Sequence, residues 1–411
     1  MEFEDELKTE GNAKFYIRNP QNQEGMKISK KMPIFYNETM ILNRDLTILV
    51  IDVFAELIGE KVTIMDTMAA SGVRSIRLLL DTDVIKKAYI NDLNPLAVRY
   101  IQKSMELNDI SPDKYELFNE DANYLMERFR YRKSDIDDNN IDRFCDIIDI
   151  DPFGSPSRFI SSAFKSIQLG GLLCVTATDT PVLFGIKKKQ CIRKYITIPI
   201  KTHYLKEMGT RILIYYIMKI AHIYGYYIKP VLSISSDHFI RVFLIIYKGK
   251  QGIYKNLKNC GSYIHCESCG YRNIVKLKPR RSNIPDNICP ICKEMLIKSG
   301  IVWFGSLHDE IYQSKVEEKL LQEHGKMFRS KKRILRYLHR SKYENNFPPF
   351  FYAIPRVADS IDSVFPSMDE IIEKLKNKGY NAARTHFDPS GIKSDANIEI
   401  IKEILRKSSI K

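Results

Sequence analysis

From about Lys61 onward, short apolar runs of strand length alternate with stretches whose apolar residues recur at helical spacing. KVTIMD (Lys61 to Asp66), KKAYIND (Lys86 to Asp92), YELFNEDA, FCDIIDIDPFG and LLCVTATD (Leu172 to Asp179) read as five strands. Helices are predicted between them over Ser71 to Leu80, Pro95 to Asn108 and Pro156 to Gln168. This alternation predicts βαβ units and a Rossmann-like, mostly parallel α/β sheet. KPVLSISSDHFIRVFLIIY (Lys229 to Tyr247) reads as two more strands turning near Ser236 and Asp237, so a first domain is expected over residues 1–250 and a second over 251–411. Within the second, Met368 to Lys378 reads as a helix stopped by Gly379.

Each strand of the parallel set ends at an aspartate, and in open α/β sheets ligands bind beyond the carboxyl ends of the strands. Asp66, Asp92, Asp121, Asp151 and Asp179 are therefore expected around one crevice. The turn after the first strand, Asp66-Thr-Met-Ala-Ala-Ser-Gly72, has neither the glycine pattern of a dinucleotide site nor a phosphate-binding lysine. A nucleoside-like ligand without phosphates follows, with Asp92 placed to accept from both ribose hydroxyls and Asp121-Ala122 at the base edge. S-adenosylmethionine, a nucleoside carrying a sulfonium, fits that set. Carboxylates that merely cap helices would give the same pattern.

Asp151-Pro152-Phe153-Gly154 puts a carboxylate, a turn and an aromatic at the mouth of the crevice. That combination suits methylation of an exocyclic amine, whose lone pair is delocalised into its base. The N–H groups must be held by acceptors, here Asp151 and the Pro152 carbonyl, while the proton is taken. Phe153 would stack on the extruded base, a contact worth roughly 1 to 3 kcal/mol. An ordinary strand exit is the alternative.

The cysteines add a second chemistry. Cys266, Cys269, Cys289 and Cys292 form C-x2-C-x19-C-x2-C, the spacing of a four-thiolate structural zinc ribbon. Cys260 is a possible substitute ligand. Cys145, Cys174 and Cys191 read as core residues, which disfavours a nucleophilic role for Cys191. His222, His238 and His386 have no partners at metal spacing and read as structural hydrogen-bonders.

Net charge narrows the partner. The 411 residues carry a formal +14, and residues 251–411 hold 29 basic against 18 acidic side chains. Lys276, Lys278, Arg280 and Arg281 flank the cysteines, and FRSKKRILRYLHR adds Lys331, Lys332, Arg333, Arg336 and Arg340, interleaved with Phe328 and Tyr337. RNA is the expected partner, although a solvated basic helix would look similar. The most apolar helical stretch, residues 211–228, is interrupted by Lys219 and His222, so no membrane span is expected. The opening MEFEDELKTE is acidic where a secretory signal would be basic, and a cytoplasmic protein is expected.

FYNETMILNRD (Phe35 to Asp45), DTMAASGVRSIR (Asp66 to Arg77), NDLNP (Asn91 to Pro95), DIDPFGSP (Asp149 to Pro156) and TATDTPVL (Thr176 to Leu183) occur in order, as do CIRKY, EMGTRIL, the paired cysteines, WFGSL and THFDPSGIKSDA. With them the chain resembles the tRNA (guanine-26 N2) dimethyltransferase family, particularly its archaeal members. The resemblance implies a class I S-adenosylmethionine-dependent methyltransferase domain with an N-terminal extension, followed by an α+β, zinc-containing, tRNA-binding domain. It implies transfer of one or two methyl groups to N2 of guanine 26; separately, a monomer with no obligate protein partner is expected. It also implies Arg44, Arg74, Asp92, Asp121 and Ala122 as cofactor contacts beside Asp66. Asp151 would be the catalytic acceptor, with Phe35 and Phe153 as the pair holding the guanine. Glu38 and Phe184 depart from the family's usual residues. An N6-adenine methyltransferase and a non-catalytic zinc-ribbon RNA-binding protein are the rival readings.

Overall fold

The computed structural model describes residues 3–20, 34–131, 145–277, 287–322 and 327–408. The acidic loop from Ser134 to Arg143 and the basic Lys278, Arg280 and Arg281 lie outside the described residues. The chain opens with a hairpin, β1 (Phe3–Glu10) and β2 (Ala13–Pro20), and then α1 (Ile41–Ile58). Next come β3 (Val62–Asp66), α2 (Val73–Asp81), β4 (Ile85–Asn91), α3 (Pro95–Leu107), β5 (Tyr115–Phe118), α4 (Ala122–Tyr131), β6 (Cys145–Ile150), α5 (Ile160–Ser166) and β7 (Ile167–Ala177). After α6 (Thr180–Leu183), α7 (Lys188–Tyr195) and α8 (Leu205–Ile223), the expected strand pair appears as β8 (Tyr226–Ser236) and β9 (Phe239–Lys248). Asp237 turns it in the left-handed region, at φ 47°.

A seven-stranded sheet has the order β5-β4-β3-β6-β7-β9-β8, and the four neighbouring pairs among β3 to β7 are parallel. The α/β expectation holds. The remaining elements are α9 (Lys250–Lys258), β10 (Cys260–His265), β11 (Arg272–Lys276), β12 (Ile297–Trp303), α10 (Glu310–Gln322), α11 (Lys331–Ser341), β13 (Tyr352–Ala353), α12 (Ile354–Asp359), α13 (Met368–Asn377), β14 (Ala382–Arg384), β15 (Gly391–Ser394) and α14 (Ile398–Ser408). Two compact units result: residues 1–177, 243–248 and 310–335 make the first, and 178–242, 249–309 and 336–411 the second. No helix among the described residues is long and apolar enough to cross a membrane.

In the first unit the edge of the hairpin is satisfied by side chains. The Lys14 and Tyr16 amides donate to Asn108 and Ser104 of the α3 region, which leaves these donors paired rather than open to another chain. Glu10, at the end of β1, is fully buried and accepts from both Arg44 of α1 (2.7 and 2.5 Å) and Arg77 of α2 (2.9 Å), as well as from Tyr36 (2.9 Å). Arg77 also donates to Asp45 and Asp81. Burial pulls the Glu10 carboxyl up, but the two guanidiniums overcome it and hold the group at about 2, against an ordinary 4.5. Because the folded value is the lower one, the stabilisation is present above pH 4.5 and lost as pH falls towards 2. Glu10→Gln, which leaves buried guanidiniums without their counter-charge, is expected to cost about 3 kcal/mol or more at neutral pH. In thermal melts the gap from wild type should narrow towards pH 2; a gap independent of pH would contradict the assignment.

The second unit is centred on α8. Glu207, fully buried, accepts from Arg211 (2.8 and 3.0 Å), from Lys393 (2.7 Å) and from the Phe350 amide (2.8 Å), while Arg211 also donates to the Trp303 and Gly305 carbonyls. Nearby residues of the same unit form a second buried group, in which Glu344 accepts from Thr385 (2.7 Å), the His386 amide (2.8 Å) and the His386 ring (3.0 Å). The segments EMGTRIL, WFGSL and THFDPSGIKSDA thus meet as the charged interior of this unit.

Candidate active site

The carboxyl ends of β3, β4, β5 and β6 carry the residues expected around the crevice. Its first turn is tight: the Gly72 amide donates to Ala69 O (2.8 Å), and the Ala69 amide to Asn91 O (2.8 Å). Gly72 sits at φ 74°, and a Cβ there would lie 2.8 Å from Ile101, so the one glycine of the turn is required by both conformation and space. Asp92 ties this turn to its own: one oxygen accepts from the Ala70 amide (2.8 Å) and the other from the Asn94 amide (2.8 Å). Burial raises its pKa. A carboxylate has about four acceptor positions, so half of them remain for a ligand's hydroxyls. Those acceptor positions fit the hydroxyls of a nucleoside ribose.

Asp121 immediately precedes α4 and accepts from the Asn123 (2.9 Å) and Tyr124 (3.2 Å) amides, a helix cap made with one of its two oxygens. Ala122, the first residue of α4, is buried. Asn91 joins these loops, donating to Thr67 O and Glu120 O (3.0 Å each) and accepting from the Glu120 amide (3.0 Å). Asp179 belongs to the second unit, where it accepts from Tyr195 (2.7 Å) and Lys194 (2.9 Å).

Beside these loops a cluster of carboxylates surrounds one guanidinium. Arg74 of α2 pairs through Nη2 with Asp151 Oδ2 and through Nη1 with Asp149 (3.3 Å). It is held from behind by Asn43 (2.9 Å) and Thr47 (3.0 Å) of α1. Asp66 accepts from Ser75 (2.7 Å), and burial together with the Asp149 charge pushes its carboxyl up to about 7. Among the described residues Asp151 Oδ1 has no hydrogen bond, and the side chain is 16% exposed. Beyond it Pro152 is buried, whereas Phe153 is 43% exposed. Phe35 meets Phe153 edge to face, ring centres 4.2 Å apart and planes at 81°.

Arg44 is placed differently from a free ligand contact. Its Nε and Nη2 bond Glu10, and Nη2 also donates to Asn37 O (3.1 Å), two residues beyond Phe35. The structure therefore brings together Asp66, Arg74 and Asp151, and separately Phe35 and Phe153, while Asp92 and Asp121 hold adjoining loops. The reading of the residues gave no role to Glu10, Asn43, Thr47, Asn91 or Asp149; of these, Thr47 alone lies outside the segments it quoted.

In the second unit, Cys266, Cys269, Cys289 and Cys292 bring their sulfurs within 4.8 Å of one another. Cys266 to Cys292 is 3.4 Å and Cys269 to Cys289 is 3.5 Å, near the ~3.8 Å edge of a tetrahedron with zinc–sulfur bonds of about 2.3 Å. The two knuckles are alike. Gly270 N donates to Cys266 O (3.0 Å) and Lys293 N to Cys289 O (3.0 Å), with φ of 78° and 66° at these two residues. Four soft donors at this spacing fit a structural zinc ion. Cys260 stands apart, its sulfur 3.5 Å from that of Met218. Cys191 is buried and its thiol is pushed up to about 12, so little thiolate is available for nucleophilic attack.

Residues 11–406 match the family model described as N2,N2-dimethylguanosine tRNA methyltransferase. A tRNA (guanine(26)-N(2))-dimethyltransferase of Methanobrevibacter smithii is 35% identical over 93% of this chain and 94% of its own length. The tRNA (guanine(26)-N(2)/guanine(27)-N(2))-dimethyltransferase of Aquifex aeolicus is 30% identical over 92% and 91%. The solved structure of Trm1 from Pyrococcus horikoshii in complex with S-adenosyl-L-methionine superposes with a TM-score of 0.81 at 29% identity, covering 97% of this chain and 99% of that one. With the strand-end aspartates and the four-cysteine cluster both in place, the chain belongs to the N2,N2-dimethylguanosine tRNA methyltransferase family.

Proposed function

We propose that this protein transfers one or two methyl groups from S-adenosylmethionine to the exocyclic N2 of guanine 26 in tRNA. The observation that supports this reading most is the corner where Arg74 fixes Asp151 beside the exposed Phe153 and its partner Phe35. S-adenosylmethionine supplies a methyl group on a sulfonium, already electrophilic, so the protein's work is positioning. Asp92 receives the ribose hydroxyls, with Asp66, Arg74, Asp121 and Ala122 completing the cofactor side. Phe35 and Phe153 hold the guanine out of its helix. Arg44 sets the backbone of the Phe35 segment through Asn37 O.

Asp151 Oδ1 and the Pro152 carbonyl accept the N2 hydrogens and thereby aim the nitrogen lone pair at the methyl carbon. As the N–C bond forms and the S–C bond breaks, the surplus N2 proton passes to Asp151 and on to solvent. The carboxylates outnumber Arg74 even with Asp66 raised towards neutrality, which leaves negative charge to complement the sulfonium. The catalytic part is taken as residues 1–250. Residues 251–411, with zinc held by the four cysteines, are taken as the tRNA-binding part. The enzyme is read as a cytoplasmic monomer without an obligate protein partner.

The test is methyl transfer from labelled S-adenosylmethionine to an unmodified tRNA transcript and to one with adenine at position 26, with nucleoside analysis. N2-methylated guanosine confined to the first transcript is expected. Methylated adenosine from the second would overturn the proposal in favour of an N6-adenine enzyme.

A further inference from the structure

α11 turns Ile334, Tyr337, Leu338 and Ser341 inward, and its outward positions include Arg336 and Arg340. In the second unit these two arginines line a cleft of about 800 Å³, closed on its other sides by Lys376 of α13, Arg384 of β14 and the Tyr343–Phe347 turn. One carboxylate lines it, Asp369, and Arg384 already engages that group (3.0 and 3.1 Å). Among the described residues neither Arg336 nor Arg340 has a hydrogen bond or ion pair. Four basic side chains are thus crowded in a concavity whose one carboxylate, Asp369, is already engaged by Arg384, and Asp388 is the acidic group that acts on Arg340. Burial and then the Arg384 and Arg336 charges lower the Arg340 pKa. Such crowding disfavours the unliganded state and is relieved by an anion.

The aromatic at the cleft is as informative as its charge. Tyr343 is 49% exposed, and Phe347 beside it is half-buried. An exposed ring beside clustered guanidiniums recognises a base and a phosphate together, which is how unpaired nucleotides are held. A regular A-form helix offers phosphates but keeps its bases stacked.

We infer that this cleft is a binding site for an unpaired nucleotide of the tRNA, with its phosphate between Arg336 and Arg340 and its base on Tyr343. The inference rests on the proposed tRNA substrate and adds where, and by which chemistry, the second unit grips it.

The test is binding of an unmodified tRNA transcript to the full chain at several salt concentrations, for wild type, Arg336→Gln/Arg340→Gln and Tyr343→Ala. The double variant should bind more weakly and lose roughly 0.7 to 0.9 from the slope of log affinity against log salt for each phosphate contact removed. Tyr343→Ala should weaken binding by roughly 5- to 150-fold at an unchanged slope. Unchanged melting temperature and S-adenosylmethionine binding show that the variants fold. Wild-type affinity and slope in the double variant would overturn the site. An effect of the arginines with none from Tyr343 would overturn the unpaired nucleotide in favour of helical backbone. Failure of wild type to methylate tRNA would strike the proposed function, whereas a methylating wild type with indifferent variants strikes only this inference.

Discussion

Asp151→Ala is expected to lower methyl transfer by about 10²- to 10⁴-fold, the usual contribution of a positioned proton acceptor, while S-adenosylmethionine binding stays near wild type. One oxygen of Asp151 is committed to Arg74 and the other carries no hydrogen bond among the described residues. The substitution therefore removes the acceptor and leaves Arg74 paired with Asp149 alone. Asp151→Asn sharpens the test, since the amide keeps a carbonyl oxygen for an N–H but cannot take the proton. Single-turnover rates close to those of alanine would make proton transfer the larger part of the role. Turnover within tenfold of wild type in the alanine variant would remove Asp151 from the mechanism.

Removing zinc is the second large effect. Structural zinc in small modules is bound with about 10 to 16 kcal/mol, free energy that is spent on folding the module. One knuckle is tied to the rest of the unit by Lys402, whose ammonium donates to Cys269 O (2.8 Å). Chelation, or Cys289→Ser, is expected to release the metal, lower the melting temperature and weaken tRNA binding together. S-adenosylmethionine affinity should persist. A protein that contains no metal and melts unchanged after either treatment would contradict the ribbon.

Where local period and strand length carried the information, the sequence was legible. The strands expected at Lys61 to Asp66 and Lys86 to Asp92 appear as Val62–Asp66 and Ile85–Asn91, and the helix stopped by Gly379 ends at Asn377, with Gly379 at φ 85°. The helix expected to run to Gln168 stops at Ser166, and β7 begins at Ile167, five residues before the expected Leu172. The Gly170-Gly171 pair falls between the bounds expected for the helix and the strand. It lies within β7, in an irregularity of the β6–β7 pairing between Ile167 and Leu172, where Gly170 takes a φ of 83°.

The N-terminal region was the least legible. α1 is buried on nearly every side, so it lacks the polar–apolar period that marks a surface helix. Its polar residues find partners far along the chain: Arg44 meets Glu10, Asp45 meets Arg77, and Asn43 meets Arg74. No spacing rule reaches that far. At the site, Asp92, Asp121, Asp151 and Phe153 could be found because strand ends announce themselves, whereas Phe35, Arg44 and Arg74 came only from resemblance. Phe328 and Tyr337, expected to interleave with the basic residues, are buried at 9% and 7% exposure. The phase of α11 turns Tyr337 inward and leaves Tyr343, beyond the helix end, as the exposed ring.

The central claim, that the accepting atom is the N2 amine of guanine 26, is tested most directly by a tRNA carrying inosine at position 26. Inosine keeps the guanine ring and its stacking face and lacks only that amine. The account predicts one or two methyl groups incorporated per guanine-26 tRNA and none at position 26 of the inosine tRNA. Methylation of the inosine base itself would contradict it.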